Sequence, residues 1–297
     1  MIELKDITID SKELFDKYLA LKKYEISDMT FTNLFMWRKS YNIKYTLVED
    51  YLCIFAQYEK NPPFILMPIG EGQISPVLEK VNAYFESRGN NLVIKSLIKG
   101  MMEEIEKEMP SKFEYKADRS TFDYVYDSSD LIHLEGKKYH SKRNHINKFV
   151  SGYDYTYYPL TSDLIDDCIK VAEEWCAKRN CAESKGLEQE KSAIIDALNH
   201  FEKLAFKGGV IKVADKVIAF TYGEQFTDDM AVIHVEKADA DIPGAYTIIN
   251  QKFCENEWSN VKYINREEDL GIPGLRKAKQ SYKPVRLIEK YTGILVK

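Results

Sequence analysis

The chain has 297 residues, 44% of them hydrophobic and 30% charged, the balance of an ordinary globular protein. That length accommodates two domains of roughly 100–200 residues each. A formal charge of −5 argues against a chain coated in nucleic acid and leaves room only for a local groove. No apolar run approaches the roughly 20 residues that span a bilayer, and residues 1–6 carry no signal-peptide stretch. The five cysteines, Cys53, Cys168, Cys176, Cys181 and Cys254, contain no C-x-x-C pair. They fit a reducing cytoplasm better than a disulfide scaffold.

In chain order, the span 11–21 predicts a helix with Ser11 as its N-cap. Spans 43–48 and 51–57 are strand candidates, and Glu49-Asp50 between them has hairpin-turn chemistry. A short strand at 64–68 follows, then an amphipathic helix at 77–88 stopped by Gly89. A strand at 92–94, a helix at 101–108 ended by Pro110 and a strand at 122–125 complete a first domain. We place its boundary at residue 135, giving domains 1–135 and 136–297.

The second half predicts helices at 164–179 and 191–206, the latter ended by Gly208-Gly209. A β-hairpin spans 210–222 with its turn at Asp215, and a third strand covers 230–235. Pro243-Gly244 opens a helix running to Trp258. A strand at 263–265, a short helix at 274–281 and a final strand at 285–291 end the chain. The fold class is therefore α+β, with mixed sheets.

Two cationic segments stand against the acidic average. One is Lys137-Lys138-Tyr139-His140-Ser141-Lys142-Arg143-Asn144-His145-Ile146-Asn147-Lys148-Phe149; the other spans 270–284, with Arg276, Lys277, Lys279 and Lys283. Neither contains an acidic residue. Positive charge beside aromatics suits an anionic ligand such as a pyrophosphate or an RNA end. Lys142, Arg143 and Lys148 have phosphate-binding chemistry, and Asn144 can fix a carbonyl. The alternative is a solvated helix joining two domains. Lys279 and Lys283 lie one turn apart and face either ligand or solvent, with Arg276 on the same short helix. His140 and His145 are five apart, the wrong spacing for a shared helical metal face, so no metal site is expected. No dinucleotide, Walker or nucleophile-elbow motif is present.

The element order of the second half resembles the acyltransferase superfamily known as GNAT. In that fold a helix N-terminus after the central strand binds the pyrophosphate of an acyl carrier. The matching place here is 235–246, where only Gly244-Ala245 follows the carrier motif, and Glu236, Asp239 and Asp241 would repel a pyrophosphate. The segment from Gly136 to Phe149, together with Arg266-Glu267-Glu268-Asp269-Leu270-Gly271 and Leu275-Arg276-Lys277-Ala278-Lys279-Gln280-Ser281-Tyr282-Lys283-Pro284, resembles the C-terminal domain of phosphatidylglycerol lysyltransferase. It is also similar to the FemABX aminoacyltransferases. That resemblance implies two tandem GNAT-like domains and transfer of an aminoacyl group from aminoacyl-tRNA to an amine or hydroxyl acceptor: a small molecule, peptide or lipid.

On this resemblance Tyr282 is the expected leaving-group acid, or else a core tyrosine between helix and strand. Glu267 and Asp269 leave a strand end and either orient a cationic acceptor or form a solvated acidic turn. Glu236 is a second candidate base by position. Two other functions stay open: a CoA-dependent N-acyltransferase, with acyl-CoA rather than aminoacyl-tRNA as donor, and a non-catalytic binder of RNA or an anionic metabolite.

Overall fold

The computed structural model describes residues 2–296. The first half runs through β1 (Lys5–Asp6), α1 (Lys12–Leu19), α2 (Phe31–Trp37), β2 (Lys44–Val48), β3 (Tyr51–Ala56) and β4 (Phe64–Ile65). It continues through α3 (Ser75–Glu86), β5 (Val93–Leu97), α4 (Lys99–Glu108) and β6 (Phe113–Ala117). Then come β7 (Asp123–Asp127), α5 (Ser128–His133), α6 (His140–Gly152), β8 (Tyr155–Pro159), α7 (Ile165–Lys178), α8 (Lys185–Asn199) and α9 (Phe201–Leu204). The remainder is β9 (Lys207–Val213), β10 (Lys216–Gln225), β11 (Met230–Ala238), α10 (Ala245–Glu257), β12 (Tyr263–Asn265), α11 (Pro273–Ser281), β13 (Arg286–Ile288) and β14 (Tyr291–Leu295). No helix among the described residues is long and apolar enough to cross a membrane.

The chain forms two compact units. The first comprises residues 1–123, 268–275 and 287–297; the second comprises 124–267 and 276–286. The first unit holds a seven-stranded sheet in the order β1-β2-β3-β4-β5-β14-β6. The second sheet, also of seven strands, runs β13-β7-β12-β11-β10-β9-β8. Each contains one parallel pair, β4 with β5 and β11 with β12, while the other registered pairs are antiparallel. A parallel pair needs a crossover, and α3 and α10 supply it.

Local chemistry explains most elements. Glu49 and Asp50 both take positive φ, 49° and 62°, as a tight hairpin between β2 and β3 requires. All six residues of β3 are buried, the mark of a central strand covered on both faces. Ser11 does precede α1, but its hydroxyl accepts from the Thr8 amide at 3.1 Å rather than capping the helix.

Several expectations are corrected. The division falls at Asp123, not residue 135, because β7 is built into the second sheet and pairs with β12. Gly208 and Gly209 stop no helix; they lie inside β9. A side chain at either would meet Leu160 or Tyr157 at 2.5 Å, so the close approach of these chain segments explains the glycines. The helix expected at 191–206 starts earlier, at Lys185, and breaks at His200. Pro243 precedes the helix proper, since Gly244 is the N-cap of α10. The final strand splits: β13 stays in the second sheet while β14 joins the first. Cys176 and Cys181 are joined in a disulfide with a Cα separation of 5.2 Å, whereas Cys53, Cys168 and Cys254 are free and buried.

Lys290 accounts for the return of the chain to the first unit. Its side chain is 2% exposed and pairs with Asp123 at 2.7 Å, with Asp28, and more distantly with Glu268 at 3.8 Å. Burial opposes its charge, but these carboxylates outweigh burial and hold the ammonium well above its ordinary pKa. The entry to β14 is thus fixed by charge satisfaction inside the first unit.

Candidate active site

The site begins where two strands of the second unit part. The parallel register of β11 and β12 runs from Met230 opposite Tyr263 to Val232 opposite Asn265 and ends there. β11 continues to Ala238 while β12 stops at Asn265. Side chains, not backbone hydrogen bonds, bridge the two segments beyond that point. His234 contacts Glu267 through Nδ1 and Glu224 through Nε2, each at 2.9 Å. One rung further, Arg266 Nη2 donates to both oxygens of Glu236, at 3.1 and 3.2 Å.

Helix α10 packs polar residues onto this bridge. Asn250 Nδ2 donates to Glu236 Oε2 at 3.0 Å. Thr247, one turn earlier on the same face, hydrogen-bonds the hydroxyl of Tyr282. Tyr282 follows α11 and is held by its own backbone, since Tyr139 donates to its carbonyl at 2.9 Å. The Arg266 guanidinium lies 4.7 Å from the Tyr282 ring centroid, and the Lys142 ammonium of α6 sits over the same ring at 3.6 Å. The cluster therefore draws on β11, α10, α6 and the segments that follow β12 and α11.

Two polar atoms here, Asn250 Oδ1 and Arg266 Nη1, are buried without a hydrogen-bond partner among the described residues. Buried polar groups are ordinarily satisfied, so these two unmet groups mark a place that a water or a ligand would occupy. With Arg266 and Lys142 positive and Glu236 negative, the cluster carries a net charge of about +1. Burial lowers the Lys142 pKa to about 8; the nearby Arg266 adds to this, while Glu236 opposes it. Burial raises the Tyr282 phenol to about 12, with Arg266 pulling the other way. Tyr282 is therefore a neutral proton donor near pH 7. Burial also disfavours charge on Arg266 and His234. Glu236 outweighs it at Arg266, and the hydrogen bonds that protonated His234 donates to Glu224 and Glu267 hold its pKa at about 9.

The structure brings together three of the residues expected from sequence: Tyr282, Glu236 and Lys142. Both Glu236 oxygens are engaged, so it holds Arg266 and Asn250 in place rather than standing open as a base. Glu267 is drawn to His234. Asp269 belongs to the first unit, fully buried, accepting from Arg119 at 3.3 Å and from the Gly271 amide at 2.9 Å.

The cationic residues divide in the same way. Arg143 donates to the carbonyls of Leu134 and Gly136, tying the end of α5 to α6. Lys279 donates to the carbonyls of Arg266 and Glu267. Asn144 contacts His140 Nε2 at 3.2 Å. Lys148 and Lys283 are exposed, and Arg276 is partly exposed on α11. Gly244 has φ +91°, and a Cβ there would meet the His145 carbonyl oxygen at 2.5 Å. Its role is the close approach of α10 to α6. Asp239 and Asp241 are both clasped by Lys178.

Sequence reasoning missed Arg266, Asn250 and Thr247. The available signals were an arginine directly after an apolar strand and two polar residues one turn apart beside Ile248 and Ile249.

Comparison with known proteins agrees with this architecture. A conserved protein of unknown function from Bacteroides thetaiotaomicron is 38% identical, with each chain fully covered and a TM-score of 0.91. The structure of L-PGS from Bacillus licheniformis matches 99% of this chain and 94% of its own at 15% identity, TM-score 0.67. A tandem GNAT protein from the clavulanic acid biosynthesis pathway matches 98% of both chains at 8% identity, TM-score 0.52. The fold is thus the tandem GNAT-like one expected from sequence. Residues 19–293 match the family described as phosphatidylglycerol lysyltransferase, C-terminal, and the chain belongs to that family of acyltransferases.

Proposed function

We propose that the second unit transfers an aminoacyl group from aminoacyl-tRNA to an amine or hydroxyl acceptor. The observation that carries this reading is the buried, net-positive cluster with an unpartnered donor, Arg266 Nη1, beside the Tyr282 phenol and the Lys142 ammonium. An acyl ester attacked by a nucleophile develops negative charge on its carbonyl oxygen, and preset cationic donors stabilise that charge. Arg266 and Lys142 supply them. The new bond forms between the acceptor and the carbonyl carbon. The ester C–O bond then breaks as Tyr282 gives its proton to the departing ribose oxygen, and the acceptor's own proton returns to the Tyr282 phenolate. Glu236 and Asn250 position Arg266. Exposed cations on and around α6 and α11, among them Lys148 and Lys283, suit the tRNA backbone. Asp239 and Asp241 lie just before the N-terminus of α10, which disfavours a carrier pyrophosphate there even with Lys178 bound to them.

Thermal denaturation with charged tRNA, uncharged tRNA and CoA, at low and moderate salt, tests the donor. Salt-sensitive stabilisation by charged tRNA, followed by loss of label from aminoacyl-tRNA to an added amine, is the expected result. Stabilisation by CoA at both salts would replace this donor with an acyl-CoA. Binding of tRNA with no transfer to any acceptor would make the protein a binder.

A further inference from the structure

The first unit carries a cavity of its own, about 670 Å³ in volume, distinct from the cluster of the second unit. That volume lies within the range of small-molecule sites, roughly 300–1,000 Å³. Its wall is aromatic on one side. Phe55 of β3 meets Tyr84 edge-on at 5.4 Å and stacks with Phe85 at 5.9 Å. These rings fix one another, so the apolar surface is preformed.

The charged lining is cationic. Lys44, Lys60 and Arg88 face a single acid, Glu3. Lys44 is held by Asp6 at 2.9 Å. Among the described residues neither Lys60 nor Arg88 has a carboxylate within ion-pair distance. Arg88 lies on the Tyr84 ring, its guanidinium carbon 3.8 Å from the centroid, with Nη1 turned to the Ser87 hydroxyl at 3.3 Å. A guanidinium held over an aromatic ring adds to the planar surface and still has N–H donors to offer an anion. Aromatic lining and cationic charge together suit one chemistry: an aromatic ring joined to an anionic group.

We infer that this cavity is a binding site for a small planar-ring anion, with the ring against Phe55 and Tyr84 and the anionic group between Arg88 and Lys60. Two sources share that chemistry, a nucleotide and an aromatic carboxylate. The site lies in the first unit and is independent of acyl transfer in the second.

Isothermal titration calorimetry on the full chain decides it, with adenosine 5′-monophosphate, benzoate, adenosine and inorganic phosphate as probes. At least one ring-bearing anion should bind about tenfold or more tighter than phosphate or adenosine alone. Whichever of the two anions binds identifies the source. Arg88 and Lys60 are exposed, so Arg88→Ala with Lys60→Ala should keep the wild-type melting temperature while weakening that anion about tenfold. Lys142→Gln in the second unit should leave its binding unchanged. Failure of both ring-bearing anions to bind, or binding indifferent to the Arg88 and Lys60 substitutions, overturns the proposal. Loss of binding in Lys142→Gln would do the same by placing the ligand in the second unit.

Discussion

At the scale of single residues, Tyr282 and Lys142 carry the sharpest consequences. Tyr282 keeps its proton up to about pH 12 because burial disfavours the phenolate. Tyr282→Phe removes the donor but keeps the ring under Lys142. Turnover should fall about 10²-fold or more while donor affinity changes little. An unchanged turnover would remove Tyr282 from the mechanism. Lys142 is charged below about pH 8 and neutral above it, since burial and Arg266 both disfavour its ammonium. Donor binding that uses this charge should weaken as pH rises through about 8. Lys142→Gln should bind the donor about tenfold more weakly at pH 7, with no further loss through that window. Parallel pH profiles for the two proteins would show that Lys142 does not meet the donor. Tyr282 could be singled out from its place after a cationic helix, whereas Arg266 is marked locally by no more than its position directly after a strand. Its importance comes from Glu236, thirty positions earlier in the chain, meeting it with both oxygens.

At the scale of elements, the parting of β11 and β12 creates the site. Three registered pairs hold them together, after which His234 and Glu236 bridge to Glu267 and Arg266. His234 has a folded pKa of about 9, above its ordinary 6.5, because two carboxylates outweigh burial. A raised pKa on a base stabilises the protonated fold. This contribution is complete below about pH 6.5 and is lost as pH rises through about 9. Chemical denaturation across that range should show stability falling with pH in the wild type. His234→Gln should flatten the fall while starting less stable by on the order of 2–3 kcal/mol at pH 6. A variant as pH-dependent as the wild type would assign the slope to other groups. The strands themselves were legible as short, largely apolar runs. Their divergence was not, because a register stops for reasons of packing that a strand pattern does not contain.

At the scale of the whole molecule, the C-terminal segment links the two sheets. It contributes β13 to one and β14 to the other. Lys290, between those strands, is the buried cation of Asp28 and Asp123. Lys290→Ala leaves Asp123, itself 0% exposed, without that cation and should cost about 3–5 kcal/mol in denaturant melts. A loss below about 1 kcal/mol would mean that the carboxylates find other partners or protonate at no cost.

The sequence by itself determined most helices and strands and the two cationic segments, because periodicity and turn chemistry are local properties, while the tandem acyltransferase-like order came from the family resemblance. The sequence left β1, α2, β6, α5 and β8 unassigned. It also read 285–291 as one strand, since a short apolar run carries no instruction about which sheet it joins. Only the tertiary structure decided which charges remain available. It consumed Arg143 and Lys279 on backbone carbonyls, buried Asp269 against Arg119, and gathered Lys142, Glu236, Asn250, Arg266 and Tyr282 into one cluster. Which cation a carboxylate meets depends on long-range packing and on the need to satisfy every buried polar group, and neither is written in the spacing of neighbouring residues.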